Sequence, residues 1–165
     1  MVGVRLLAVV GVLALAAGHA RAEQKVTDMD RVHGRFGLGV SLGAPDGLTL
    51  EVILGKRWAF DVAAGSNPFR DGRWYGHANL LYSVKAWSYI ALAVHAYVGA
   101  GAALTSRAGQ NELTDTTKSL RIPLGLQGST PLQNFQLYIE LAPRIEFDPE
   151  TEVLFEGAIG FRFFR

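Results

Sequence analysis

The last fifteen residues of the chain, TEVLFEGAIGFRFFR at 151–165, alternate between two kinds of side chain. One set is apolar or glycine and the other is charged or very small: Val153, Phe155, Gly157, Ile159, Phe161 and Phe163 against Glu156, Ala158, Gly160 and Arg162. Successive side chains of a β-strand point to opposite faces, so the segment predicts a strand with one aromatic, apolar face. Such a strand needs a sheet to pair with and an apolar environment for that face.

The first 22 residues differ in character from the rest of the chain. Arg5 is followed by a run of apolar residues at 6–17, and Ala20-Arg21-Ala22 fits a small-x-small cleavage site. This order predicts a cleavable secretory signal peptide at 1–22, and the run is too short to span a bilayer as a helix. A retained membrane anchor is the alternative. No later segment reaches the roughly 18 continuous apolar residues that a membrane helix requires.

The composition excludes several classes of protein. Charged residues make up 19% of the chain, below the roughly 25% usual for soluble domains. There is no cysteine, so disulfides and thiolate metal sites are excluded. Two of the 16 basic residues lie in the signal peptide, which leaves 14 against 15 acidic residues in a near-neutral mature chain. Because it contains no basic run, we expect no nucleic-acid partner.

The mature chain reads as a short polar N-terminal tail at 23–34 followed by one domain at 35–165. The domain contains eight runs of alternating apolar and polar residues, at 35–42, 48–54, 58–64, 74–85, 89–101, 120–127, 135–145 and 151–165. Most connections are short, and a tight turn is predicted at Trp87-Ser88, so the pattern favours an antiparallel up-and-down meander. Pro123 lacks a backbone N–H, which predicts a bulge in the sixth run. The prediction is an all-β, eight-stranded antiparallel barrel.

Alternation does not decide which face points outward. In a soluble carrier of lipocalin type the apolar face lines the cavity, whereas in an outer-membrane barrel it faces lipid and the polar face fills the lumen. Three features favour the second arrangement. The polar face combines many small residues with charges of both signs, aromatic residues stand near the strand ends, and tight connections alternate with longer ones at 66–73 and 105–117. A transmembrane β-barrel is therefore predicted, with periplasmic termini and the 105–117 loop outside.

This arrangement assigns two sets of residues. Charged and imidazole side chains that share the inward parity are predicted to form a polar network in the lumen: Arg35, Glu51, Asp61, His77, Lys85, His95, Arg121, Glu140, Arg144, Glu156 and Arg162. Outward aromatic side chains near the strand ends are predicted to form the membrane-interface girdles: Trp58, Trp74, Phe161 and Phe163. An eight-stranded barrel is only just wide enough for its own side chains, so the network is expected to fill the lumen.

The whole mature chain resembles the small eight-stranded outer-membrane barrels of OmpA and OmpX type. Its last strand is similar to their C-terminal assembly signature, although Arg165 stands where an aromatic residue is usual. A narrower resemblance, to a little-characterised bacterial outer-membrane β-barrel family, rests on four segments: the Gly/Pro-rich hairpin at 37–49, and 120–126, 137–143 and 157–163. The resemblance implies a bacterial outer-membrane location and the barrel-assembly machinery as a partner during biogenesis. It implies no activity.

The sequence gives only weak signals for a catalytic, metal or phosphate site. His77 and His95 share the inward parity on the fourth and fifth runs and are expected to lie near each other, which would allow a metal between them; a lumen hydrogen-bond network is the simpler interpretation. Ser83 lies six residues from His77 on the same run, about 20 Å away, too far for a nucleophile and its base. The glycine pairs at 37/39 and 99/101 precede no helix and do not predict phosphate binding. No catalytic residue, metal or cofactor is expected.

The function predicted is that of a non-catalytic outer-membrane barrel with a structural or surface-interaction role. Its partners would be outer-membrane lipid and an extracellular partner at the 66–73 and 105–117 loops. Three alternatives stay open: a narrow channel for small solutes, a lipid-modifying outer-membrane enzyme, and a soluble lipocalin-like carrier.

Overall fold

A computed structural model describes residues 34–67, 73–88, 92–106, 116–130, 134–147 and 151–165. The predicted signal peptide and residues 23–33 of the predicted tail lie outside this part of the chain. The described residues form nine β-strands: β1 (Phe36–Gly43), β2 (Asp46–Ile53), β3 (Trp58–Asn67), β4 (Arg73–Ser88), β5 (Ala93–Ser106), β6 (Thr116–Arg121), β7 (Leu124–Thr130), β8 (Phe135–Glu146) and β9 (Glu152–Phe164). None of these residues belongs to a helix of the length and hydropathy needed to cross a membrane.

The strands form one antiparallel, ring-like sheet. Each strand pairs with the next along the chain from β1 to β5, then β5 pairs with both β6 and β7, both pair with β8, and β8 pairs with β9. The ring is completed by β9, which pairs with β1. The all-β, antiparallel prediction is confirmed.

One predicted run corresponds to two strands, which is why eight runs become nine strands. β6 and β7 are separated by Ile122 and Pro123, but they lie on the same register against both neighbours: Arg121 pairs with Arg144 and Leu124 with Leu141. The predicted bulge at Pro123 is therefore wrong, since no extra residue is inserted.

The break between β6 and β7 has its cause in two prolines. Gly99 N–H donates to the Pro123 carbonyl (2.8 Å) and Ile122 N–H donates to the Pro143 carbonyl (2.9 Å). An antiparallel hydrogen-bonded pair normally exchanges two N–H···O bonds, and a proline accepts one of them but has no N–H to donate the other. The ladder therefore loses one bond on each side of the same short segment without any change of register.

The bulge lies in β4 instead. Ser83 pairs with Tyr97 and Lys85 pairs with Ala96, so Val84 is the extra residue. The parity of β4 changes there, and Ala86 takes the inward position opposite His95. The predicted turn at Trp87-Ser88 is also wrong, because these residues continue β4 and pair with Val94 and Ala93.

The interior of the ring is polar and its exterior is apolar. Among the described residues, 21 polar or charged side chains are buried, against 27 large apolar side chains that are exposed. On β8 and β9 the exposed positions include Leu137, Leu141, Phe155, Phe161 and Phe163, and the buried positions that alternate with them include Tyr138, Glu140, Glu156, Gly160 and Arg162. This is the reverse of a soluble globular protein, in which charged side chains are almost never buried unless they are paired.

The two ends of the ring differ. We call the end that carries Phe36 and Phe164 the lower end, and the opposite end the upper end. The strand termini at the lower end are Phe36, Ile53, Trp58, Ser88, Ala93, Thr130, Phe135 and Phe164, and those at the upper end are Gly43, Asp46, Asn67, Arg73, Ser106, Thr116, Glu146 and Glu152.

Apolar side chains inside the ring form a plug in its lower half. The plug consists of Ile53, Ala59, Leu81, Tyr97 and Phe164. Phe164 is fully buried, and its ring lies over Gly37, where a Cβ atom would be only 2.5 Å from the ring.

Candidate functional site

Three buried arginines carry the charge network inside the ring, and each is paired with acidic side chains. Arg162 lies on β9, Arg144 on β8 and Arg121 on β6, and each is 2% exposed or less. Five buried carboxylates accompany them: Glu51, Asp61, Glu140, Glu146 and Glu156. A buried charge must be paired and hydrogen-bonded to be tolerated, which is the condition these contacts meet.

Arg162 is the centre of the first cluster. Its guanidinium contacts Glu51 directly and donates to Asp61 at 2.6 Å. It also donates to the Thr49 hydroxyl at 2.9 and 3.1 Å, and lies over the Tyr138 ring at 4.1 Å from the centroid. The cluster thus ties the last strand to β2 and β3 across the interior.

Asp61 also has two polar neighbours on β4. Asn79 Nδ2 donates to Asp61 Oδ1 at 2.5 Å, and His77 Nε2 lies 3.8 Å from the same oxygen. Asn79 is the residue that faces Asp61 across the β3–β4 pair. One carboxylate therefore joins β3, β4 and β9.

Arg144 is the centre of the second cluster, in the upper half. It donates to Glu146 at 2.5 Å and to the Thr105 hydroxyl at 3.1 Å, and lies 3.1 Å from Glu156. The Tyr75 hydroxyl donates to Glu156 at 2.6 Å, and the Arg144 guanidinium lies over the Tyr75 ring at 5.3 Å. This cluster joins β4, β5, β8 and β9.

Arg121 forms the third and smallest cluster. It donates to Glu140 at 2.8 Å, and the Tyr97 hydroxyl donates to the other oxygen of that carboxylate at 2.8 Å. Gly125 leaves space for Tyr97, whose hydroxyl occupies the position that a Cβ at 125 would need. The glycines of the inward face thus make room for the long side chains of their neighbours.

The structure places nine of the eleven predicted network residues inside the ring and two outside it. Nine of them are buried: Glu51, Asp61, His77, His95, Arg121, Glu140, Arg144, Glu156 and Arg162. Arg35 is exposed because it precedes the first residue of β1 at the lower rim. Lys85 is exposed because it follows the bulge in β4, and its Nζ lies 5.1 Å from the centroid of the Trp87 ring. For these two residues the prediction of a lumen position is wrong.

His77 and His95 are far apart, contrary to expectation. His77 pairs with Ala103, and His95 lies eight residues further down β5, opposite Ala86. At about 3.3 Å per residue this separates the two residues by roughly 26 Å. Among the described residues no group of three or more histidine, cysteine or acidic side chains could hold a metal ion.

The predicted girdle residues are all exposed on the outer surface. Trp58, Phe161 and Phe163 lie toward the lower end, and Trp74 lies at the upper end. Trp58 packs against Tyr82 with ring centroids 4.8 Å apart, and Phe161 against Phe135 at 5.7 Å. The sequence did not single out Glu146, which fell just outside the predicted seventh run, nor Phe164, whose aromatic ring gave no signal for an interior position.

Comparisons with models of protein families, with curated proteins and with solved structures found no match for this chain. A proposal for its function therefore starts from the arrangement of its own side chains.

Proposed function

We propose that the mature chain is a non-catalytic eight-stranded β-barrel of a bacterial outer membrane, exported by the signal peptide at 1–22, with a structural or surface-interaction role. The observation that carries this proposal is the inverted burial: paired charges inside a closed sheet and large apolar side chains outside it. Water would make that exterior unfavourable by about 25 cal/mol for each Å² of apolar surface. Contact with acyl chains carries no such cost.

The geometry of the ring supports a closed barrel. Because β6 and β7 share one register, the ring contains eight strands around its circumference. A path that starts at Gly39 and steps from each residue to its partner on the next strand, through β2, β3, β4, β5, β6 and β8 to β9, ends at Glu152. Gly39 itself pairs with Arg162 on the same last strand. The register therefore shifts by ten residues around the closed ring. Eight strands with this offset tilt by about 40° to the axis, within the range of membrane barrels.

Strand length supports a membrane span for most of the ring. At such a tilt, roughly ten residues cross an apolar band about 25 Å tall. β3, β4, β5, β8 and β9 contain 10 to 16 residues, and the joined β6–β7 run extends from Thr116 to Thr130. β1 and β2 are shorter, with eight residues each, and are connected by Ala44-Pro45.

The burial pattern argues against a soluble carrier of lipocalin type. Such a carrier needs an apolar cavity, and the interior here holds three arginines and five carboxylates. The apolar plug occupies the lower half with side chains of the protein itself. We propose that the lumen is filled and that contacts with other molecules are made by the outer surface and by the segments at 66–73 and 105–117, of which residues 68–72 and 107–115 lie outside the described part of the chain.

Membrane fractionation with gel mobility before and after boiling tests the barrel. The mature chain should sediment with outer membranes, require detergent for solubility and migrate differently when unheated. A mature chain that stays monodisperse in plain buffer and takes up a hydrophobic dye in its interior would contradict the proposal. Planar-bilayer recording tests the filled lumen separately, since discrete conductance steps would identify a channel.

A further inference from the structure

A set of basic side chains surrounds half of the lower end, and nothing in the lumen uses them. The set consists of Arg165, Arg35, Lys56, Arg57 and Lys85, and we call it the basic arc. All five side chains are exposed. The only other exposed cation among the described residues is Lys118, near the upper end.

The members of the arc are neighbours around the ring. Arg165 exchanges backbone hydrogen bonds with Phe36, next to Arg35, at 2.9 and 3.3 Å. The Arg35 carbonyl accepts from Ile53 N–H at 2.9 Å, just before the connection that carries Lys56 and Arg57. The Arg57 carbonyl accepts from Ser83 N–H at 2.8 Å, two residues from Lys85. The arc thus runs continuously from β9 through β1, β2 and β3 to β4.

The described acidic residues lie in the interior of the ring or at its upper end. Seven are described: five are buried in the interior, and the other two, Asp46 and Glu152, stand at the upper end. On the other half of the lower end, the sequences that link β4 to β5 and β7 to β8 contain no charged residue. Among the described residues, the positive charge at this end is therefore confined to one side of the ring.

Aromatic and aliphatic side chains alternate with the cations along the arc. Phe163, Phe36, Leu54 and Trp58 are 46–60% exposed beside them. Arg57 donates to the Tyr82 hydroxyl at 3.1 Å, and Lys85 lies over Trp87. Apolar stems and rings beside a row of cations match the boundary between acyl chains and headgroups of a bilayer.

We infer that the basic arc binds the phosphate of anionic phospholipids in the leaflet that faces the lower end. This inference rests on the proposed membrane location and adds a lipid class and a side of the protein to it. An acidic protein would also meet the charge, but a lipid offers both a phosphate to the cations and acyl chains to the exposed Phe36, Trp58 and Phe163 beside them. A cation near an anionic lipid surface strengthens binding by about five-fold.

Native mass spectrometry of the folded mature chain tests the inference. The detergent-solubilised protein is mixed with equal amounts of phosphatidylglycerol and phosphatidylethanolamine that carry the same acyl chains. We expect several-fold more phosphatidylglycerol to be retained. Lys85→Gln should lower that preference about two- to five-fold, replacement of all five cations by glutamine should abolish it, and the matched control Lys118→Gln should leave it unchanged.

The outcomes separate the two proposals. Equal retention of the two lipids by a chain with heat-modifiable mobility would overturn the lipid inference alone. An equal loss of preference in Lys85→Gln and Lys118→Gln would also overturn it, since the charge would then act without regard to position. A chain that never inserts into detergent or bilayers would overturn both. Heat-modifiable mobility of each variant ensures that a lost preference is not a lost fold.

Discussion

Arg162 and Asp61 lie 101 residues apart in the chain and are joined by a hydrogen bond of 2.6 Å across the interior. Arg162 belongs to the last strand and Asp61 to the third, and both are 2% exposed. The same guanidinium also contacts Glu51 on β2. Because β9 closes the ring against β1, this contact links the closing strand to strands beyond its direct neighbour. It therefore stabilises closure in a way that backbone pairing alone does not.

Removal of this arginine should be strongly destabilising. Arg162→Met leaves Glu51 and Asp61 buried without their cation, and breaking a buried pair in this way costs about 3–5 kcal/mol. Urea unfolding in detergent micelles or vesicles measures the free energy of unfolding. The control Arg165→Met changes an exposed cation three residues away and should alter stability by no more than about 0.5 kcal/mol. Similar losses in the two variants would remove the special role of Arg162.

An arginine placed on the outer surface should lower the free energy of unfolding, and the loss should grow with the depth of the position in the bilayer. Leu124 is 45% exposed and lies in the middle of the joined β6–β7 run, so Leu124→Arg should cost about 2–4 kcal/mol in a bilayer. Leu54 is 60% exposed at the lower rim, and Leu54→Arg should cost about 0–1 kcal/mol. Unfolding titrations in vesicles compare the two. Equal, small costs at both positions would mean that the outer surface does not face acyl chains.

Much of the fold can be predicted from the two-residue alternation of apolar and polar side chains. Every described strand overlaps a run with this period, and a one-residue slip would move its whole apolar set to the other face. The parity of β8 and β9 therefore predicts that Glu140, Arg144 and Glu156 are interior, as the structure places them. The sequence cannot say which acid meets which base, because the contacts depend on the tilt and offset of the closed sheet.

The wrong predictions have local causes that the alternation of side chains does not reveal. The bulge at Val84 reverses the parity of β4 and moves Lys85 outward, and the strand includes both residues of the predicted turn, Trp87 and Ser88. The separation of His77 from His95 has the same origin, since the predicted register assumed a turn at 87–88. Pro123 was expected to force a bulge, but the ring keeps its register there and loses backbone hydrogen bonds instead.

The plug depends on a glycine that accommodates an aromatic ring. A Cβ at Gly37 would lie 2.5–2.8 Å from three ring atoms of the buried Phe164. Gly37→Ala should therefore cost about 1–3 kcal/mol through overpacking. Gly55→Ala is the matched control, because nothing lies within 4 Å of a Cβ at that position.

A double-mutant cycle identifies the origin of that cost. Phe164→Leu removes the ring atoms that crowd position 37, so Gly37→Ala should cost less in that background, with a coupling of about 0.5–3 kcal/mol. Unfolding titrations of the four proteins give the coupling directly. Additive costs would show that Gly37 is required for a reason other than the ring of Phe164.

The break between β6 and β7 should be repairable. Pro123→Ala supplies an N–H that can donate to the Gly99 carbonyl, and Pro143→Ala supplies one for the Ile122 carbonyl, because Gly99 and Ile122 already donate to these prolines. Each new bond contributes about 0.5–1.5 kcal/mol, offset by the lost packing of the Pro123 ring, whose Cγ lies 2.8 Å from the place that a Cβ at Gly99 would take. In the double variant, amide hydrogen exchange at 123 and 143 should be as slow as at Ile122, which is already bonded. Fast exchange at both positions, with Ile122 protected, would mean that the break is set by the local backbone path and not by the missing donors.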